Sequence, residues 1–270
     1  MAIPNVGKCF PTAEGFLAYL EGLQFGSWRP RFVTMHHTGA PDLATWRGWQ
    51  TRAKPVSDEQ WLKNLAAYYG NPPLGWRAGP HFFFTPNNFC VLSPPTARGV
   101  HAVSFNATSW GLECVGDFDR EKFDGAVRDK YVEGLACLHI ATGLQLAPFS
   151  KGVRGMHFHR DDPKTTKTCP GKGVDKAALV KLVQAKMTAM TGGDHPAEQI
   201  TPVPVVKNRV GTVNSPDGLN VRASASAKAP LVEELKNGAA VTITGEAMNG
   251  ETKWFAVDGG FVSARYVTLN

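Results

Sequence analysis

The sequence lacks three features that mark specialised classes of protein. No apolar run approaches the roughly 18 residues that a membrane-spanning helix needs. Lysine and arginine form no basic run and no nucleic-acid motif, although the chain carries a net charge of +6. The first residues show no basic start followed by an apolar stretch and a cleavage site. We therefore expect no membrane insertion, no nucleic-acid partner and no secretory signal.

Cysteine is also sparse, and its pattern is not that of a disulfide scaffold. The chain has five cysteines, an odd number without framework spacing. We expect reduced thiols, with four of them buried and inert in apolar surroundings, namely Cys9, Cys90, Cys114 and Cys137.

The positive charge is unevenly distributed along the chain. Residues 1–190 carry 22 Lys and Arg against 15 Asp and Glu, whereas residues 209–270 carry six of each. A modest and scattered excess of this kind favours an anionic surface such as a cell wall over nucleic acid.

Composition divides the chain into two domains joined by a linker. Residues 191–208 are rich in Gly, Pro and polar residues and show no periodicity, which is typical of a linker. Before it, residues 1–190 alternate strand-like and helical patterns, which predicts an α/β domain with a mixed central sheet flanked by helices. After it, residues 209–270 contain short strand-like runs separated by Gly, Pro and Asn, which predicts a small all-β barrel.

Particular runs carry the prediction for the first domain. Ser57 followed by Gln60 is the signature of a capping box at the start of a helix. The predicted strands are RFVTMH, the hairpin HFFFT with FCVLS, and WGLECVG, and the other predicted helices are FDGAVRDKYVEGLACLHIAT and VDKAALVKLVQAKMTAM.

Two stretches hold residues that commonly bind metals. MHHTGAPD contains His36 and His37, and MHFHRDDPKTTKTCPGKG contains His157, His159 and Cys169. Imidazole and thiolate are the ligands that zinc prefers, and catalytic zinc sites keep one position open for water. The second stretch is polar, so we expect it to present its ligands rather than bury them. The neighbouring lysine predicts a lowered pKa for the cysteine thiol.

Four ordered motifs resemble a known family of enzymes. HHTGA, GPHFFF, HAVSFNATSWGLECVG and HFHRDDPKTTKTCPG follow the order seen in zinc-dependent N-acetylmuramoyl-L-alanine amidases, the amidase-2 family, which includes phage lysozyme-like amidases and peptidoglycan recognition proteins. The resemblance spans about residues 28–190. The C-terminal runs LNVRASAS, NGAAVTI and WFAVDGGFVSARYV resemble a bacterial SH3-like domain, a type that often binds cell walls. The whole chain is thus similar to a modular phage endolysin or a bacterial autolysin.

The resemblance implies a set of metal ligands. It assigns the first ligand to His36, and alternation along a strand agrees that His36 and His37 point to opposite faces. The second and third ligands are His159 and Cys169, which have the family's ten-residue spacing. His157 stays open as an alternative to His159. The implied cofactor is Zn²⁺.

The resemblance also implies catalytic and substrate-binding residues. Lys167 matches the family's catalytic lysine, and Glu113 matches a glutamate that can act as general base toward the water. A carboxylate is unfavourable in a run as apolar as WGLECV, because burying a charge costs free energy. Its presence there favours the functional interpretation of Glu113. His101 and Asn106 match groove-lining positions, and we group them with His37, which packs beside the site or supports it, as substrate-binding candidates.

The implied function is hydrolysis of the bond between N-acetylmuramic acid and L-alanine in peptidoglycan by a monomeric protein. The protein would be made in the cytoplasm and would act on the wall after release. One departure matters, because Pro80 stands where many relatives carry a catalytic tyrosine. The alternatives are therefore a non-catalytic peptidoglycan-binding protein, an autolysin or a cytoplasmic muropeptide amidase.

Overall fold

A computed structural model of the chain describes residues 7–144, 146, 155–191, 209–222, 224–227, 229, 231–249 and 252–270. The predicted linker, apart from Thr191, lies outside these residues. The domain boundaries at 190 and 209 stay predictions. Among the helices of the described ranges, none combines the length and the apolar character that crossing a membrane requires.

The first part of the chain forms a six-stranded mixed sheet in the order β1-β4-β3-β5-β2-β6. The central strand β5 is parallel to β2 and to β3, β2 is parallel to β6, and β4 is antiparallel to β3 and β1. The strands are β1 Cys9–Phe10, β2 Phe32–His37, β3 Phe82–Phe84, β4 Phe89–Val91, β5 Ser109–Cys114 and β6 His157–Phe158. The predicted strands and hairpin of this domain are confirmed.

In the part of the chain that the structure describes, five α-helices pack with this sheet around one apolar core. The predicted α3 starts where expected, because the Ser57 hydroxyl accepts a hydrogen bond from the Gln60 backbone amide at 3.1 Å. The short helices α1 and α2 were not predicted from the sequence. The helices are α1 Ala13–Glu21, α2 Leu43–Gln50, α3 Asp58–Gly70, α4 Gly125–Thr142 and α5 Lys176–Met190. The mixed α/β fold predicted for this domain is confirmed.

The second part of the chain forms a separate seven-stranded sheet in the order β13-β7-β10-β11-β12-β8-β9, with every pairing antiparallel. Alternate residues of its strands fill a core of their own, which includes Val221, Ile243 and Val262. The strands are β7 Arg209–Val213, β8 Leu219–Arg222, β9 Leu231–Leu235, β10 Ala240–Asn249, β11 Thr252–Val257, β12 Gly260–Ser263 and β13 Val267–Leu269. The predicted all-β character is confirmed.

The prediction that all cysteines are reduced is wrong. Cys9 and Cys90 form a disulfide, and they lie opposite each other where β1 pairs with β4. Their separation of 81 residues gave no signal in the sequence, because the pair forms only once the N-terminal strand joins the sheet edge. Cys114 and Cys137 are buried free thiols, as predicted.

The disulfide is expected to stabilise the first domain. Removing it in the double variant Cys9→Ser/Cys90→Ser should lower the free energy of unfolding by about 2–4 kcal/mol, because the unfolded chain regains the freedom of a long closed loop. Chemical denaturation with guanidinium chloride measures the change. Adding a reductant should shift the midpoint of the wild type and leave that of the double variant unchanged. Equal midpoints for the two proteins under oxidising conditions would contradict this expectation.

A second prediction concerns the buried His139 on α4, whose Nδ1 lies 3.1 Å from the Leu144 carbonyl oxygen. Burial lowers its pKa from 6.5 to about 4. Between pH 6.5 and pH 4 the unfolded chain binds a proton at this histidine that the folded protein does not bind. The contribution of His139 to the free energy of unfolding is therefore constant above pH 6.5 and decreases as the pH falls toward 4. The loss amounts to about 3 kcal/mol at most.

The variant His139→Asn keeps a donor near the Leu144 carbonyl but cannot titrate. Its free energy of unfolding should fall less steeply between pH 6.5 and pH 4.5 than that of the wild type, whatever the difference at neutral pH. Denaturation at a series of pH values checks this. Parallel curves for the two proteins would show that His139 does not contribute to the acid sensitivity.

Candidate metal centre

Three metal-binding side chains from distant parts of the sequence meet at the edge of the first sheet. One potential ligand atom each from His36, His159 and Cys169 lie within 4.8 Å of one another. His36 is the penultimate residue of β2, His159 begins a 3₁₀ turn directly after β6, and Cys169 lies in the loop before α5. His36 is 2% exposed, Cys169 is 6% exposed and His159 is partly buried.

His157 does not belong to this group. Its ring stacks on Phe32 with the two ring centroids 3.7 Å apart, and its side chain is buried. Of the two alternatives that the sequence left open, His159 is the one placed beside His36, with ring centroids 4.5 Å apart.

The ring of His36 is oriented by His101. The Nε2 of His36 lies 3.2 Å from the Nδ1 of His101, and the Nε2 of His101 lies 3.2 Å from the Ser109 carbonyl oxygen. A carbonyl oxygen only accepts, so the Nε2 of His101 carries its proton. Desolvation by the surrounding protein lowers the pKa of His101 to about 3, so this ring is neutral and its Nδ1 accepts from His36. The Nδ1 of His36 is therefore left for an ion.

Asn106 holds the loop that carries His101. Its side-chain oxygen accepts hydrogen bonds from the backbone amides of His101 and Ala102, at 2.7 and 2.8 Å. This oxygen is thus engaged by its own loop. A substrate-binding role for His101 or Asn106 stays a prediction.

Arg160 ties the second ligand to the third. Its backbone amide donates to the Cys169 carbonyl at 2.9 Å, and its guanidinium donates to the carbonyls of Gly171 and Val174 at 2.7 and 2.8 Å. Because Arg160 directly follows His159, these bonds fix the distance between the two ligand segments.

The sulfur of Cys169 lies against the end of β2. It accepts a hydrogen bond from the His37 backbone amide at 3.2 Å. The predicted lowering of its pKa and the predicted exposure of its loop are both wrong at this residue. Burial, and then the charge of Glu113, raise the pKa of the Cys169 thiol. A thiolate at this position therefore needs a cation beside it, and a divalent metal ion bound by this donor set would provide one.

Glu113 and Lys167 border the three ligands. Glu113 lies opposite His36 in the parallel pairing of β5 with β2, and its Oε1 is 3.8 Å from the Nδ1 of His36. Burial raises the pKa of Glu113 to about 8, and the charge of Lys167 opposes the rise. After burial, Lys167 also contributes to lowering the pKa of His159. The exposed Lys167 is thus close enough to act on a charge that develops at the site.

His37 points away from the ligand group, as strand alternation predicted. Its Nδ1 accepts a hydrogen bond from the Phe118 backbone amide at 3.0 Å. This contact engages the ring in holding a neighbouring turn, and its assignment to the substrate groove stays a prediction.

One residue near the site was missed by the sequence analysis. Tyr69, at the end of α3, stacks on Trp76 with centroids 5.0 Å apart. Burial raises the pKa of its phenol, and the charge of Glu113 adds to the rise, which indicates that the two side chains are neighbours. The place of Tyr69 in the α3 run gave no functional signal in the sequence. Pro80 is buried two residues before the start of β3.

Comparison with protein families gives two matches. The model of the N-acetylmuramoyl-L-alanine amidase family matches residues 27–172, and the model of the bacterial SH3 domain matches residues 217–268. The first match covers more than half of the chain and includes every candidate site residue. No curated protein matches the sequence.

Several solved structures are similar to part of the chain. They include the N-acetylmuramoyl-L-alanine amidase LysC from Clostridium intestinale, with 16% identity and a TM-score of 0.38 over 61% of this chain and 87% of that one. The Staphylococcus aureus hydrolase AmiA has 18% identity and a TM-score of 0.43, and the match covers 64% of this chain and 85% of AmiA. The Drosophila peptidoglycan recognition protein SA has 18% identity and a TM-score of 0.41, and the match covers 57% of this chain and 79% of that protein. Likenesses of this size support no conclusion about the chain.

The ring of His101 packs closely against Gly111 on β5, so we expect a larger residue at position 111 to disturb the site. A Cβ added at Gly111 would lie 2.6 Å from Cδ2 of His101, so Gly111→Ala should displace the ring that orients His36. Overpacking of this kind costs about 1–3 kcal/mol of folding free energy. Thermal denaturation measures the loss, and the imidazole NMR signals of His36 and His101 should shift.

Gly48→Ala is the matched control. Nothing lies within 4 Å of a Cβ built at Gly48, which is inside α2, so this change should leave stability unchanged or raise it by about 0.4–1 kcal/mol. Unperturbed imidazole signals in Gly111→Ala would show that His101 has room to move and does not constrain His36.

Proposed function

The chain belongs to the N-acetylmuramoyl-L-alanine amidase family, whose model matches residues 27–172, and from this premise we propose that it hydrolyses the bond between N-acetylmuramic acid and L-alanine in peptidoglycan. The observation that carries the proposal is the convergence of His36, His159 and Cys169 beside the carboxylate of Glu113. Two imidazoles and one thiol beside a largely buried acid are the groups that metal-assisted hydrolysis needs.

The proposed cofactor is Zn²⁺, held by His36, His159 and Cys169. The donor set fits, because zinc prefers imidazole and thiolate and because three protein ligands leave a position for water. The buried thiol of Cys169 fits as well, since its raised pKa calls for a cation next to the sulfur. When bound, Zn²⁺ polarises the amide carbonyl and lowers the pKa of a water molecule.

Glu113 is the proposed general base. Its carboxylate accepts a proton from the attacking water and then delivers it to the nitrogen of the departing L-alanine. The raised pKa of about 8 suits this role, because a group that gains and loses a proton near neutral pH serves in both directions. The pairing of β5 with β2 keeps the carboxylate beside His36 without the help of a loop.

Lys167 is the proposed electrostatic stabiliser. Its side chain is exposed at the edge of the site, two residues before Cys169, and its charge acts on His36, His159 and Glu113. The ammonium group stabilises the negative charge that develops on the carbonyl oxygen during attack. Removing a donor of this type costs about 10²–10³ in rate.

The second domain is proposed to hold the enzyme on the cell wall. Residues 217–268 match the bacterial SH3 domain, and a wall-binding module raises the effective concentration of the catalytic domain at its polymeric substrate. We place the protein among phage endolysins that act as monomers, are made in the cytoplasm and reach the wall after release.

A non-catalytic peptidoglycan-binding protein is the second candidate. It is favoured by Pro80, which offers no hydroxyl at the position where many relatives carry a tyrosine. The complete His-His-Cys group and the largely buried glutamate argue for catalysis, because a protein that only binds peptidoglycan has no need for them.

Two variants separate metal binding from proton transfer. Cys169→Ser should lose zinc and hydrolytic activity together, because a neutral hydroxyl is a poor zinc ligand. Glu113→Gln should retain one zinc per chain and lose activity by at least about 10²-fold, as expected for a general base. Metal analysis and mass spectrometry of digested peptidoglycan measure both effects, and the wild type should release stem peptides with a free N-terminal L-alanine.

Cys137→Ser is the matched control, because Cys137 is a buried free thiol on α4, away from the ligand group. This variant should keep both zinc and activity. A Cys169→Ser protein that hydrolyses walls without metal would refute the mechanism. A wild type that binds zinc and intact sacculi but releases no stem peptide would establish the non-catalytic candidate.

A further inference from the structure

Hydrogen bonds from a neighbouring turn hold the loop that carries Cys169. None of the residues of this turn has been given a role in the candidate site. This turn comprises residues 117–121 and is separated from β5 by Val115 and Gly116; we refer to it as the 117–121 turn. Its own shape is fixed independently of the site: the carboxylate of Glu121 accepts the backbone amides of Asp117 at 2.7 Å and of Leu43 at 3.0 Å. The turn is therefore anchored to the start of α2 and can serve as a rigid support.

Asp119 reaches from this turn to both sides of Cys169. One carboxylate oxygen accepts a hydrogen bond from the hydroxyl of Thr168, the residue before the cysteine. The other accepts the backbone amide of Lys172, three residues after it, at 2.8 Å. A single side chain thus closes the ligand loop at its two ends. Bonds to an ionised acceptor are about twice as strong as bonds between neutral groups.

Phe118 adds backbone contacts to the same loop. Its carbonyl accepts the amide of Gly173 at 2.9 Å, and its amide donates to the ring of His37. Gly171 and Gly173 leave room for this approach, since added Cβ atoms would lie 2.7 and 2.8 Å from the Phe118 oxygen. Gly171 also has a φ of +109°, a conformation that other residues rarely adopt.

Together these contacts form a closed path around the sulfur. The backbone amide of His37 donates to the Sγ of Cys169, the ring of His37 holds the amide of Phe118, and the next residue, Asp119, holds Thr168 and Lys172. We propose that Asp119 is a positioning residue for Cys169: it fixes the loop so that the sulfur stays beside His36 and His159, which together with Cys169 would hold the ion. The inference rests on the proposed metal centre.

The test compares zinc affinity in Asp119→Ala and in the wild-type full-length protein, by competition with a chromophoric chelator. Loss of an outer partner of this kind is expected to weaken zinc binding by about 10–100-fold. The variant loaded with Co²⁺ should also show a weaker thiolate-to-cobalt charge-transfer band, which reports the sulfur–metal contact directly and would not change after a purely distant loss of stability.

Asp129→Ala is the matched control, because Asp129 is an exposed aspartate on α4 that pairs with Arg128. It should bind zinc as the wild type does. A second pair of variants serves if Asp119→Ala fails to fold. Thr168→Val removes the hydroxyl that donates a hydrogen bond to Asp119 and should weaken zinc binding. Thr168→Ser keeps a hydroxyl at this position and should bind zinc as tightly as the wild type does.

The outcomes separate the inference from the proposed function. If the wild type binds zinc and Asp119→Ala binds it equally well, with the same cobalt spectrum, the positioning role is refuted and the metal centre stands. If Asp119→Ala does not fold, equal zinc affinities in Thr168→Val and Thr168→Ser refute it. If the wild type itself binds neither Zn²⁺ nor Co²⁺, both the metal centre and the positioning role are overturned.

Discussion

The parallel pairing of β2 with β5 is the constraint on which the site depends. It sets His36 directly opposite Glu113, so the proposed metal ligand and the proposed proton acceptor are fixed side by side through backbone hydrogen bonds. Both strands lie in the interior of the sheet, where their neighbours on each side prevent them from shifting. The other two ligands come from less regular segments and need additional support, from Arg160 within their own loops and from the turn after β5.

Burial determines the chemistry of this arrangement. In water a carboxylate ionises near pH 4 and a thiol near pH 8–9. Here the surrounding protein raises the pKa of both Glu113 and Cys169, so the protein without a cation favours their neutral forms. The same desolvation lowers the pKa of His36 and His101, which keeps the imidazoles neutral and able to bind a metal. A cation bound beside these two groups would favour their ionised forms.

Much of the fold and the members of the candidate metal-binding group could be predicted from the sequence, and the misses have physical reasons. Strand periodicity located β2 and β5, and a side-chain cap located α3, because these signals are local. The short helix α2 has only two buried residues, Leu43 and Trp46, and so shows little periodicity. The Cys9–Cys90 disulfide and the proposed role of Asp119 depend on contacts between segments far apart in the chain, which a single sequence does not reveal. The lowered pKa expected for Cys169 failed because the sequence shows the neighbouring charges but not the burial.

The outermost strands of the six-stranded sheet have a consequence for solubility. Its inner strands include the phenylalanine-rich β3 and β4, whose segments FFF and FCV would pair readily with strands of other molecules if their backbone groups were open. On one side β1 covers β4, and on the other side β6 covers β2; each covering strand is only two residues long. Edges this short offer few free amides to an incoming chain. Because the Cys9–Cys90 disulfide links β1 covalently to β4, β1 stays paired with β4 and keeps that strand from pairing with another molecule.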